Sequence, residues 1–249
     1  MSAGAAGGGD IRGFQSSGCD KDDVGIRKEE RRITTESSSS RTELFQEGTR
    51  LLAAGKIVEC ADLSFRVLEL AQAAGDQVMV MGLHGGLSAC FRKMGKYSSA
   101  LEHAQHQLVI AQVLDLQLGQ AQAKNGIALA LTELGDMEGS RRNLEEALQH
   151  CYYVMPAGCE LVQQQSALFL CTTLANLADH SVRVGQFKDA MLWVRKLEQV
   201  DTEYIDPHSQ QVWAARAASI LESIHKRLGT SPMHNTEMPE RNDVEEMQA

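Results

Sequence analysis

The sequence predicts an all-α solenoid of about four antiparallel helix pairs followed by one capping helix. Three observations predict it. First, Gly55, Gly95 and Gly135 recur at a spacing of forty residues, each in the same surroundings. A small residue lies seven positions before each (Gly48, Ser88, Ala128) and another five after (Cys60, Ala100, Ser140). An apolar residue immediately precedes each (Ala54, Met94, Leu134), and a bulky one stands two positions on (Ile57, Tyr97, Met137). Second, Gly185 carries the same set, with Ala178, Val184, Phe187 and Ala190, after a spacing of fifty. Third, 43% of the chain is apolar but only 5% is aromatic, with four prolines and hardly any strand-type alternation. Fixed periods of roughly 20–50 residues mark stacked supersecondary units.

Residues 1–39 combine Gly/Ala repetition, a mixed-charge block from Arg27 to Arg32 and the serine run Ser37 to Ser40. Such a composition buries too little apolar surface to offset ordering entropy, so this segment is expected to be disordered. The repeat domain spans 40–229. Its pairs are placed at 41–54 with 57–74, 76–94 with 97–114, 117–134 with 137–154, and 159–184 with 187–203. In each pair the glycine closes the first helix in a left-handed conformation. The small residues on either side let the two helices approach, and the bulky residue after the turn fills the gap to the next pair. One pair alone cannot bury its apolar face, so the units must stack. Pro156-Ala157-Gly158 interrupts the chain and accounts for part of the longer spacing before Gly185. Asp206-Pro207 opens a last helix to about Leu228, with the proline suited to the first turn, and Gly229 ends it. That helix has Glu222 where the other units have a small residue, as expected of a polar cap. Residues 230–249 form an acidic tail, with Glu237, Glu240, Asp243, Glu245 and Glu246 against Arg241, also expected to be disordered.

At Leu134-Gly135-Asp136 and Met94-Gly95-Lys96-Tyr97-Ser98-Ser99-Ala100-Leu101 the sequence resembles the tetratricopeptide repeat family, matching its turn and the opening of its second helix. The forty-residue spacing exceeds that family's usual 34. It is similar to the long-helix variety found in spindle-orientation proteins of the LGN/Pins type and in rapsyn. Asn176-Leu177-Ala178 resembles an Asn-Leu-Gly signature of that subgroup, whereas the third unit has Gly126-Ile127-Ala128. The resemblance covers roughly residues 41–229. It implies a right-handed solenoid whose first helices line a concave groove, used to hold other proteins.

Composition narrows the function further. A net charge of −9 argues against nucleic acid as a partner, because phosphate binding needs a concentrated basic surface. No apolar run approaches the roughly 20 residues that span a bilayer. The start lacks the basic end and apolar stretch of a secretory signal, and Ser2 excludes glycine-dependent myristoylation. The six cysteines form no CxxC pair and read as reduced thiols of a cytoplasmic protein.

Chemistry is sparse. His103 and His106 share a helical face, but no Cys, Asp or Glu completes a metal set at suitable spacing. His150 and Cys151, adjacent on a helix, point about 100° apart and do not form a nucleophile–base pair. No phosphate loop appears in the Gly4–Gly9 run, which lacks a strand–helix context. The expectation is therefore a non-enzyme without cofactor or metal.

What remains is a protein-binding groove. Projecting the repeat places Phe45, Thr49, Gly82, Gly85, Ala89, Leu129, Thr132 and Asp179 along it. The polar candidates for partner contact are Arg92, Lys93, Gln122, Asn125, Asn176 and Arg183, because amide and guanidinium groups suit a peptide backbone and its carboxylates. Gly85-Gly86 inside a helix costs about 1 kcal/mol per glycine relative to alanine. Close approach of the preceding helix, or of a bound backbone, would offset it. The Lys/Asn clamp by which chaperone co-factors of this family hold a terminal Glu-Val-Asp peptide is missing, since the matching positions are Phe45, Thr49, Gly86, Gln122 and Gly126. The leading expectation is a scaffold that binds a peptide or helical segment. The alternative is a structural subunit of a cytoskeletal or ciliary assembly that uses its convex face and tails, and a small enzyme stands third.

Overall fold

A computed structural model describes residues 40–154, 160–200 and 202–229. The chain divides into two units, Met1–Glu43 and Leu44–Ala249. Of the first, only the beginning of one helix is described. The expectations for 1–39, for Pro156-Ala157-Gly158 and for the acidic tail lie outside the described residues.

From Leu44 onward the described chain is an all-α solenoid. The helices are α1 (40–53), α2 (Ile57–Ala73), α3 (Gln77–Lys93), α4 (Tyr97–Val113), α5 (Gln117–Leu134), α6 (Met137–Val154), α7 (Glu160–Arg183), α8 (Phe187–Glu198) and α9 (Pro207–Leu228). Each of α2 to α8 packs on the next in sequence, α8 on α9 included. The odd-numbered helices also meet one another, α3 with α5, α5 with α7 and α7 with α9. The odd-numbered helices therefore form a layer running along the stack.

One turn serves both within pairs and between them. Gly55, Gly75, Gly95, Gly135 and Gly185 all have φ between 69° and 91°, and Asp115 takes the same left-handed position at φ 52°. In each case the residue at the left-handed position donates its N–H three residues back, and the residue after it donates five back. Gly95 N–H to Arg92 O (3.1 Å) and Lys96 N–H to Phe91 O (2.9 Å) are one example. These bonds satisfy the carbonyls that a helix end leaves orphaned. The forty-residue sequence period is thus two structural steps of twenty. It went unread because Asp115 breaks the glycine series; a short acidic side chain tolerates the left-handed region better than most.

The small residues of the repeat form the seam inside each pair. Gly48, Cys60, Ser88, Ala100, Ala128, Ser140, Ala178 and Ala190 are all buried. The two sides touch through hydrogen bonds: Cys60 Sγ to Gly48 O (3.2 Å) and Ser88 Oγ to Ala100 O (2.8 Å). In the third pair the Thr132 and Ser140 hydroxyls bond each other at 2.7 Å.

Two apolar clusters make the core. One lies around α2 and α3, with Val67, Ala71, Leu83 and Leu87 at its centre. The other gathers Leu144, Leu174, Leu177, Val194, Ile220 and Ile224 from α6 to α9. Between them α4 meets α5 where the fully buried Ala104 and Ala111 face Gly126 and Gly119. A Cβ on Gly126 would stand 3.3 Å from that of Ala104, so these two helices are as close as their side chains permit.

α7 has 24 residues against 17 or 18 in α2 to α6, which explains much of the fifty-residue spacing. α8 is a correction. It ends at Glu198 rather than near 203, and a short 3-10 turn, Thr202–Tyr204, follows. That early end puts Ile205 (6% exposed) into the core, which a continued helix would not. Asp206 then accepts from Ser209 N–H (3.0 Å) and caps α9, with Pro207 in the first turn as expected.

Candidate functional site

The odd-numbered layer is hollowed along its length. Near α1 and α3 a cavity of about 440 Å³ is bordered by Phe45, Gly82, Gly85, Gly86, Ala89 and, from α5, Gln122, Asn125 and Leu129. It shares Arg92 and Leu129 with a second cavity of about 440 Å³ whose other walls come from α5, α6, α7 and α9. It shares Gln122 with a third, of about 700 Å³, at the start of α5 and α7 beside Leu116, Val162 and Phe169. Shared walls make these one groove rather than separate pits.

The glycines of α3 are what open it, and each has its own reason. A Cβ on Gly82 would stand 3.3 Å from the Phe45 ring of α1. One on Gly85 would stand 2.8 Å from Nε2 of Gln107, a buried residue of α4. The close approach at Gly85 thus comes from the following helix, not the preceding one. Gly86 differs from both: outside its own helix backbone no atom lies within 4 Å of the place its Cβ would take, and it borders the groove and a small cavity of about 50 Å³ beside Phe45, Leu52 and Val67.

Five of the six polar candidates border the groove. Arg92 is half-buried and stands where the first two cavities join. Gln122 is exposed and accepts from Gln107 at 3.4 Å. Asn176 and Arg183 border the cavity near α9, where Arg183 pairs with Glu133 at 3.1 Å. Lys93 borders none of these cavities; it is exposed in the last turn of α3, where a cation complements the helix dipole. Asn125 borders the groove but its amide is committed elsewhere. It donates to Thr173 Oγ1 (2.7 Å) and Ala121 O (3.3 Å) and accepts from Asn176 at 3.1 Å. Buried at 6% exposure, it ties α5 to α7 and is not available to a partner.

The sequence reading missed Arg216 and Arg227. Both belong to α9, the helix that the sequence marks as a cap, yet both wall the cavity opposite Asp179 and Arg183. Arg216 pairs with Asp179, and Arg227 Nη1 donates to Val182 O at 2.8 Å. Burial pushes the Asp179 carboxyl above the usual carboxylate range, and Arg216 beside it pulls it back. The available signal was the spacing of eleven that puts Arg216 and Arg227 on one face of α9.

No protein-family model matches the sequence, and no curated protein matches it. Among solved structures, that of BtubC (BKLC) from P. vanneervenii is similar, with 14% identity and a TM-score of 0.47, over 84% of this chain and 98% of that one. A likeness this remote carries nothing about function.

Among the described residues the histidines and cysteines hold no reactive constellation. His103 and His106 are joined by His84 of α3, whose Nδ1 lies 3.0 Å from Nδ1 of His103. Burial, and then its two neighbours, push His84 down to about 4. Among the described residues no group of three or more His, Cys, Asp or Glu is arranged to hold a metal ion. His150 bonds Gln117 Oε1 at 2.8 Å, while Cys151 is buried and its thiol is pushed up to about 11. Cys60 and Cys90 sit with sulfurs 3.4 Å apart; burial first, then Cys60, raises Cys90 to about 12, the opposite of a reactive thiolate. No described helix is long and apolar enough to cross a membrane.

Proposed function

We propose that this chain is a non-catalytic protein–protein interaction scaffold of tetratricopeptide type. It acts in the cytoplasm and holds a peptide or helical segment of a partner protein in the groove along its odd-numbered helices. Gly86 carries the reading. A glycine inside a helix costs about 1 kcal/mol relative to alanine, and at Gly82 and Gly85 a neighbouring side chain accounts for it. At Gly86 nothing in the described chain does, and the residue opens onto the groove. A partner's backbone lying against α3 supplies the missing reason.

A second reading, a structural subunit of a cytoskeletal assembly, draws on the even-numbered helices. Val109 and Val113 of α4 are 57% and 80% exposed, and Tyr153 of α6 is 73% exposed. Capture of native partners separates the two. Gly86→Leu fills the groove and should release proteins that Val113→Ser retains. Release by Val113→Ser alone would replace the groove reading with the structural one.

A further inference from the structure

The groove end walled by α5, α7 and α9 differs chemically from the rest. Four arginines, Arg92, Arg183, Arg216 and Arg227, border it with two carboxylates, Glu133 and Asp179. Glu133 is taken by Arg183 and Asp179 by Arg216. That leaves Arg92 and Arg227 without a carboxylate among the described residues. Guanidinium groups cannot shed their charge, so this is a cationic patch on a chain of net charge −9. A second observation is independent of charge. His180 walls the same cavity at 5% exposure, and its Nδ1 is buried with no hydrogen-bond partner. An orphaned buried polar atom in a native fold calls for an explanation, a ligand among them. Burial holds His180 below the usual histidine range, with Arg141 of α6 and Arg183 adding to this and Glu138 and Glu145 opposing.

We propose that this end of the groove takes a carboxylate-rich stretch of the bound segment, with Arg92 and Arg227 as its contacts and His180 in the wall beside them. The proposal rests on the groove-binding reading and gives the partner a chemistry. Arginine forks match carboxylates bidentately. Denser anions such as phosphates suit the cavity less well, because Glu133 and Asp179 share its wall. The adjoining cavity is lined by Phe45, Gly82, Gly86 and Ala89 together with the uncharged amides Gln107, Gln122 and Asn125, and Arg92 is its one charged residue. The segment therefore runs with uncharged residues over α3 and acidic residues toward α9.

The test uses the full chain at low salt and fluorescence polarisation, with a fluorescein-labelled decaglutamate peptide and a Gly-Ser peptide of equal length. The glutamate peptide should bind saturably and the Gly-Ser peptide should not. Arg92→Gln should weaken binding about tenfold, the worth of one charge-assisted contact, and adding Arg227→Gln should weaken it further. Arg66→Gln, which removes the same charge from an exposed site on α2, should change nothing, and melting curves confirm that each variant folds. Equal losses in Arg92→Gln and Arg66→Gln would mean bulk charge attraction and overturn the proposal. Failure of the glutamate peptide to bind, while Gly86→Leu still releases native partners, would overturn the acidic preference and leave the groove reading standing. A further form changes Glu237, Glu240, Glu245 and Glu246 to Gln and Asp243 to Asn. Affinity unchanged in it supports a partner's segment; binding seen only in that form would identify the chain's own tail as the occupant and overturn the proposal.

Discussion

Two neighbouring glycines should respond to alanine with opposite signs. Gly86 lies in the interior of α3, with no atom within 4 Å of its Cβ position. A methyl group there meets no neighbouring group, whether it enters the groove or the small cavity beside Phe45 and Val67, so Gly86→Ala removes the helix cost of glycine without adding strain. The expected gain is about 0.4–1 kcal/mol, much of it from a less free unfolded chain. For a domain of this size that raises the melting temperature by about 1–4 °C. At Gly85 the new methyl would come within 2.8 to 3.0 Å of three atoms of the Gln107 amide. Gln107 is 4% exposed and bonds Gln122, so it cannot swing clear without losing that contact. Overpacking of this kind costs about 1–3 kcal/mol, more than the propensity gain, and Gly85→Ala should melt lower than wild type. Thermal unfolding followed by far-ultraviolet circular dichroism, with urea titration as a check, reads both. A lowered midpoint for Gly86→Ala, or a raised one for Gly85→Ala, would show that the glycines are not divided as described. If the groove holds a partner backbone at Gly86, the stabilised Gly86→Ala form should also bind that partner more weakly.

Three further outcomes are expected. Ala100 is fully buried in the seam, so Ala100→Leu should destabilise by about 1–3 kcal/mol in urea unfolding, while Glu102→Leu on the exposed face should stay within about 0.5 kcal/mol. Asn125→Ala strips Asn176 and Thr173 of a buried partner and should cost about 1–3 kcal/mol, with helicity retained below the transition. His84 has a folded pKa of about 4 against 6.5 unfolded, so the unfolded chain binds its proton first as the pH falls. Stability should therefore be flat above about pH 7 and fall between about 6.5 and 4, by about 1–3 kcal/mol from this group. His84→Phe should flatten that fall in urea midpoints measured across the range, and an unchanged slope would mean that His84 is not its source.

The helix pairs and the groove face were legible in the sequence because they depend on short-range chemistry. A left-handed glycine ends a helix wherever it stands, and the small residues seven before and five after it must meet once the chain doubles back. Because the register repeats, the face carrying Phe45, Arg92, Gln122, Asn176 and Arg183 could be projected from one unit to the next. The turn at Asp115 was hidden, since its left-handed conformation lacks the glycine that marked the others. The early end of α8 was hidden too, because it depends on Ile205 finding the core. Helix packing, both within a pair and from one pair to the next, decided the rest. Asn125 reaches Thr173 and Asn176 across 48 and 51 residues, Gln107 of α4 fills the space beside Gly85, and His84 meets His103. Arg216 and Arg227 enter the groove because α9 packs on α7 as well as on α8. Such contacts follow from the angle and distance between packed helices, which the summed shape of many side chains fixes and no local motif records.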